Sequence, residues 1–355
     1  MYNNIMDTKD TNKINETDLF TKYKSSYISS FCDLSINLAL LCFGNYVLYL
    51  YKESYFVYLF IPFMSLLNIK TFMSFHDCNH ESYTPNKTIN YLIGTVSGII
   101  TVTTSMNWGL DHRTHHLTNG DVTNKYNYAF NETTRITYKQ YSRFNWLTRV
   151  ITKCLLYPVI QFAITPIIYF VFIQRFIYIV KKLKYKSKIE SSMASICFNH
   201  FIHNVGTIGL CYFTNKLGYL HLFILYVYFS QILGYLLFFN QHTFNPPYIV
   251  NNEEWTQRDS GLIGSSFIQI PWYLKYFFSG IEYHHIHHMN AKIPGYNLQK
   301  YHEEVVQNSN MFDNIVKLSM DDCYNNLWLV MYDEDNKRFI TFEEADKQME
   351  ESKSK

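Results

Sequence analysis

The chain has 355 residues, enough for one large domain or two small ones, and a net charge of only +2, too weak to imply nucleic-acid binding. Aromatic residues make up 18% of it, mostly Tyr and Phe in or beside apolar runs, as near membrane interfaces. Polar arms at both ends dilute those runs, so the mean hydropathy is slightly polar at −0.14.

Residues 1–27 form a polar arm of mixed charge. It has no basic start leading into a short apolar core, so a cleaved signal peptide is not expected. A membrane-spanning helix needs roughly 20 predominantly apolar residues. The runs 28–49 and 55–75 qualify and, with only the YKES turn between them, predict a hairpin. Its polar residues Asp33, Asn37 and Asn45 are expected to face other helices, and Lys70 to snorkel toward the interface.

The next apolar run, Ile89 to Thr104, is too short to span. The run from Ile151 to Val180 is long enough for one crossing but carries Pro158 and Pro166, which break or kink a helix. Both are expected to lie at the interface. The runs 193–213 and 219–239 predict a second hairpin around TNKLG, and residues 303–355 a soluble tail. The expected fold is therefore an all-α integral membrane protein. Four transmembrane helices in two hairpins carry a helical cap, and residues 28–302 form the main domain.

Lysines collect in the N-terminal arm (Lys9, Lys13, Lys22, Lys24) and in KKLKYKSK at 181–188, whereas the hairpin turns carry one each, Lys52 and Lys216. Positive residues favour the cytoplasmic side. Cap and both termini are thus expected to be cytoplasmic, in the endoplasmic reticulum if the host is eukaryotic. The seven cysteines show no CxxC spacing and are expected to be reduced thiols in packing roles.

Nine histidines set the chemistry. His76 and His80 stand four apart in HDCNH; His112, His115 and His116 form HRTHH; His284, His287 and His288 repeat that grid in HHIHH; His242 stands in FFNQHTF. Positions i, i+3 and i+4 share a helix face, so each cluster can aim its imidazoles at one point. Imidazole is a good ligand for iron, zinc, copper and nickel. His285, one residue from His284, projects about 100° away on a helix and is assigned no ligation. Asp77, Asp111 and Glu282 neighbour the histidines and are candidates to accept their second N–H, against the plainer view that they are polar residues at helix ends. His200 and His203 are expected to be neutral packing residues within a span, and His221 and His302 to be interfacial or on the surface. Trp108 is either a channel wall or an interfacial aromatic.

HDCNHESY, NWGLDHRTHHLTNGD, QHTFNPPYIVNNEEW, the long stretch around HHIHH and the tail LWLVMYDEDNKRFITF resemble the membrane fatty acid desaturases with three histidine boxes, closest to their acyl-lipid Δ12/ω-6-type branch. Asn79 and Glu81 depart from the small residues usual near the first box, beside ligands without replacing any. The resemblance implies two iron ions held by the nine histidines, with a tenth position filled by water, Asn240 or another group. It implies O₂ as co-substrate, a fatty acyl chain linked to lipid, coenzyme A or a carrier protein as substrate, and a cis double bond as product. Zinc has no redox chemistry and would not suffice. No haem-binding or iron–sulfur pattern is present, so a separate electron donor, a b-type cytochrome or a ferredoxin, is expected. Two rival readings are an acyl hydroxylase on the same scaffold and a divalent-metal transporter. A transporter's ligands would lie near the bilayer midplane; these lie at span ends. A third rival is a catalytically dead binding protein.

Overall fold

Ser26 accepts the backbone N–H of Ser29 and starts helix α2, Tyr27–Leu50, which follows a short α1, Glu16–Tyr23. The computed structural model describes residues 16–121, 123, 136–177 and 193–353; Lys9, Lys13 and the KKLKYKSK segment lie outside them. A 3-10 turn, Tyr55–Phe60, leads into α3, Ile61–Asn79, whose first turn holds Pro62, where its missing N–H costs nothing. α2 and α3 form the first expected hairpin.

Polar groups inside these helices pair across them, as an apolar surrounding demands. Asn37 Nδ2 donates to Thr71 Oγ1 at 2.9 Å, and the Tyr226 hydroxyl donates to Asn45 Oδ1 at 3.3 Å. Lys70 departs from expectation. It does not snorkel: it is 2% exposed, and its Nζ lies 2.5 Å from Asp33 Oδ1 and 2.8 Å from Ser279 Oγ. A carboxylate within reach in the neighbouring helix outweighs the pull of the interface.

Helices α4, Lys87–Ile100, and α5, Ser105–Thr118, meet at 104°, so this stretch is sharply bent between them. After the short strand β1, Ile136–Thr137, come α6, Tyr138–Ser142, α7, Trp146–Leu156, and α8, Pro158–Ile167. Pro166 lacks the N–H the α ladder needs, and from Ile168 to Ile177 the chain continues as a π-helix. Then follow α9, Met193–Lys216, and α10, Leu220–His242, the second hairpin. Lys52 Nζ donates to the Leu217 carbonyl at 2.6 Å, so both hairpin turns sit at the same end.

Four helical stretches are long and apolar enough to cross a bilayer: Tyr27–Leu50, Tyr55–Asn79, Pro158–Arg175 and Leu220–His242. Their number matches the expectation, but their membership differs. Asn199, His200, His203 and Asn204 dilute α9, while the π-helix extends the apolar run beyond Pro166. Contacts place that stretch aslant. Phe162 packs on Phe239 near the inner end of α10, and Arg175 donates to Asn204 midway along α9. At 1.5 Å per residue those partners stand about 28 and 18 Å from the hairpin turns, so the roughly 20 Å of chain between Phe162 and Arg175 descends only some 10 Å.

The cap continues with α11, Gln257–Leu262, strand β2, Ser266–Ile268, α12, Lys275–Phe278, α13, His284–Met289, and α14, Gly295–Asn308. Strand β3, Val316–Leu318, α15, Met320–Asn326, the antiparallel pair β4, Met331–Asp333, and β5, Arg338–Ile340, and α16, Phe342–Lys353, complete it. β3 pairs in parallel with β2 (Ser266 opposite Val316), and β4 with β1 (Ile136 opposite Met331). The all-α reading holds, with five short strands among the described residues. The boundary expected at 303 falls inside α14, and the residues beyond it are bound into the cap. No cysteine is paired; Cys78 and Cys323 are buried.

Candidate metal centre

All nine histidines converge where α3, α5, α10 and α13 end together. Two groups form. His76, His80, His112 and His287 each place a ring nitrogen within 4.8 Å of the others, and so do His115, His242, His284 and His288. His116 lies between them, its Nε2 3.1 Å from that of His112 and its ring stacked on His288 at 4.1 Å. Within the groups, Nε2 atoms approach to 3.0 Å (His76 and His112), 2.9 Å (His115 and His242) and 3.0 Å (His242 and His284). Nitrogens sharing one ion through bonds of about 2.1 Å would stand roughly 3–4 Å apart.

The donor set fits metal ions. Among the described residues, His80 Nε2 and both ring nitrogens of His287 and of His288 are buried without a hydrogen-bond partner. Buried polar atoms are seldom left so, and a metal ion would satisfy one nitrogen of each ring. Burial, reinforced by the neighbouring imidazoles, holds the pKa values of His284, His287 and His288 well below the ordinary histidine range. The rings are thus neutral, the form that offers a lone pair.

Two contacts orient rings from behind. His76 Nδ1 donates to Asp77 Oδ1 at 2.9 Å, and Asp77 Oδ2 accepts the Gly295 N–H at 2.6 Å. His242 Nδ1 donates to the Gly264 carbonyl at 3.0 Å. Each leaves Nε2 facing the centre. The Asp77 contact lies on the expected residue; Gly264, 22 positions from its histidine, carries no local sequence signal. Asp111 is buried at 5% exposure. Glu282 differs from expectation: it is 1% exposed, yet among the described residues neither carboxylate oxygen has a hydrogen-bond partner, and burial pushes its pKa up to about 7. Asn240 turns its amide back to the Leu236 carbonyl at 3.0 Å.

His285 points away from both groups, as its register predicts, but into a core: its Nε2 lies 3.3 Å from His302 Nδ1, and its ring packs on Phe312. His302, expected at a surface or interface, is thereby half-buried. His203 Nε2 lies 3.0 Å from Ser105 Oγ, and His200 Nε2 lies 2.7 Å from Asn107 Nδ2. These two fasten the start of α5, a packing role.

An apolar cavity of ≈ 110 Å³ leads to the histidines, reaching His76, His112 and His284. Trp108 lines it and stacks on His112 at 4.3 Å, which favours the channel wall over the interfacial aromatic. Phe72, Tyr169, Pro166 and Phe238 form other parts of its wall. Its largely apolar wall suits a slender hydrocarbon better than water.

Residues 53–314 match the Fatty acid desaturase family. A protein of Bacillus subtilis named "Fatty acid desaturase" is 27% identical over 277 residues, 77% of this chain and 74% of that one. The "sn-1 acyl-lipid omega-3 desaturase (ferredoxin)" of Synechocystis sp. is 31% identical over 125 residues, 35% of this chain and 34% of its own length. With its three histidine clusters brought to one apolar cavity, the chain belongs to the fatty acid desaturase family.

Proposed function

We propose that this oxidoreductase inserts a cis double bond into a fatty acyl chain, using O₂ and electrons from a separate donor, with two iron ions held by the nine histidines. The observation that carries it is the apolar cavity ending on the histidines. Bound iron would supply the O₂ activation and oxidising power that an unactivated C–H bond requires. The chain's own residues do the rest. The imidazoles of His76, His80, His112 and His287, and of His115, His242, His284 and His288, would hold one ion each, with His116 between. Asp77 and the Gly264 carbonyl fix two of the rings, and Trp108 and Phe72 align the hydrocarbon. Asp111 and Glu282 would act from behind the ligands, Glu282 without the direct hydrogen bond first expected. Overall, two C–H bonds break and one C=C bond forms. O₂ takes two electrons and two protons from the acyl chain, two electrons from the donor and two protons from solvent, and leaves as two waters.

The two hairpins would cross the membrane while the α8 stretch lies aslant, with the cap and both termini cytoplasmic. An acyl-lipid substrate is favoured over acyl-CoA, since the cyanobacterial relative is named for one, and a ferredoxin is favoured as donor for the same reason.

The test is expression in a host with fatty-acid profiling, then assay of the purified protein with and without O₂ and a ferredoxin or cytochrome system. A new unsaturated acid that requires both is expected. A hydroxy acid as the main product would replace desaturation by hydroxylation on the same site. Stoichiometric zinc in active preparations would overturn the oxidative chemistry.

A further inference from the structure

On α10, Ser230, Gly234, Phe238 and Gln241 recur at helical spacing and all line the apolar cavity. Gly234 is the odd member. A glycine inside a helix weakens it relative to alanine, and in apolar helices its usual use is to let two backbones approach. Gly98 and Gly206 serve that use: a Cβ on them would meet His203 at 2.7 Å and Ile99 at 2.5 Å. Gly234 does not. It lies within an unbroken helix, and a Cβ there would meet nothing within 4 Å. The space it leaves belongs to the cavity.

We propose that Gly234 is a specificity-determining residue that sets how much acyl chain the cavity accepts beyond the histidines. At 1.5 Å per residue it stands about 12 Å along α10 from His242, on the side away from the cap. Just beyond it the wall turns polar. Gln231 Nε2 donates to the Thr101 carbonyl at 3.5 Å, and Ser230 Oγ accepts Asn68 Nδ2 at 2.7 Å. A methylene chain passing the histidines runs beside Gly234 before it meets that polar floor. The missing side chain therefore controls the last part of the hydrocarbon path. The inference rests on the acyl-chain reading of the cavity given above.

The test expresses the full chain with its electron donor in a host fed saturated acids from myristate to stearate, and measures the ratio of short to long unsaturated products. Wild type is compared with Gly234→Ala, Gly234→Leu and Gly209→Leu. Gly209 on α9 also has nothing within 4 Å of a Cβ, but it is exposed and does not line the cavity. Gly234→Leu should raise the ratio roughly tenfold, the scale set by a methylene or two in an apolar pocket. Gly234→Ala should move it less and in the same direction, and Gly209→Leu should leave it at the wild-type value. Should Gly234→Leu fail to accumulate in the membrane, the Gly234→Ala ratio decides. An unchanged ratio in the surviving Gly234 variants beside an active wild type overturns the inference, even if total product falls. A wild type that makes no unsaturated acid overturns the proposed function instead.

Discussion

Lys70 on α3 and Asp33 on α2 form an ion pair inside the first hairpin, Nζ to Oδ1 2.5 Å. The lysine is 2% exposed at its side chain and also donates to Ser279 Oγ, which ties the hairpin to the cap just ahead of the third histidine cluster. Asp33 Oδ2 accepts the Tyr83 hydroxyl at 2.9 Å. Removing one partner of a buried pair leaves an uncompensated charge, at a cost of about 3–5 kcal/mol. Lys70→Met or Asp33→Leu should each lower the melting temperature sharply in detergent. The double variant should recover most of the loss. A double variant as unstable as the sum of the two would refute the pairing.

The ligand set makes a sharper distinction within one motif. His284→Ala removes a nitrogen from the second group and should lower iron content and activity together. His285→Ala should keep its iron. It loses only the contacts to His302 and Phe312, costing about 1–3 kcal/mol as a buried hydrogen-bonded group does. Metal analysis of both purified variants decides; iron retained by the first and lost by the second would shift the cluster by one residue.

Topology can be read with tags. Inserts near Asn124 and near Lys184, both outside the described residues, should be cut by protease added to the cytoplasmic face, as should both termini. If either tag is protected in sealed vesicles of that orientation, the Pro158–Arg175 stretch crosses the membrane instead of lying aslant.

Acid should loosen the β4–β5 turn. Burial raises the Asp333 pKa, but hydrogen bonds from Asn336, Gln348 and the Asn336 and Asp335 N–H groups outweigh it and leave a net lowering. A carboxylate with a depressed folded pKa contributes stability in full above its unfolded value, near 3.9, and loses it as pH falls through the folded value. Asp333→Asn should therefore destabilise the protein at neutral pH and flatten its stability below about pH 4. Melting curves across that range would show it; parallel curves for the variant and wild type would contradict it.

The helices and the convergence of the candidate metal-binding histidines were legible because their signals are local. HDCNH, HRTHH and HHIHH carry helical spacing within five residues each, and the apolar runs announce their length. What escaped lies between distant positions. Lys70 was misjudged because its partner, 37 residues earlier, is invisible to a rule about one helix. The division of nine rings into two groups with His116 between them depends on how α5 meets α3 and α13, which spacing does not encode. Strands of two or three residues, such as Ile136–Thr137, are too short to show alternation. The helix α9 was foreseen, but its buried polar residues take it out of the runs apolar enough to span, and Pro166 concealed a helix that runs on in another register.

The parallel pairing of β1 with β4 and of β2 with β3 carries a consequence for biosynthesis. Ribosomes release the chain from its N-terminus onward. The segments after the second cluster and before the third must therefore wait for residues 316–340 before their strands have partners. Asp77 waits likewise for Gly295, more than two hundred residues later. The first hairpin can enter the bilayer early, yet the cap that carries the histidines lacks these pairings until residues 316–340 have been made. Metal loading is therefore expected only after that point, and a nascent chain stalled before residue 316 should sit in the membrane without metal.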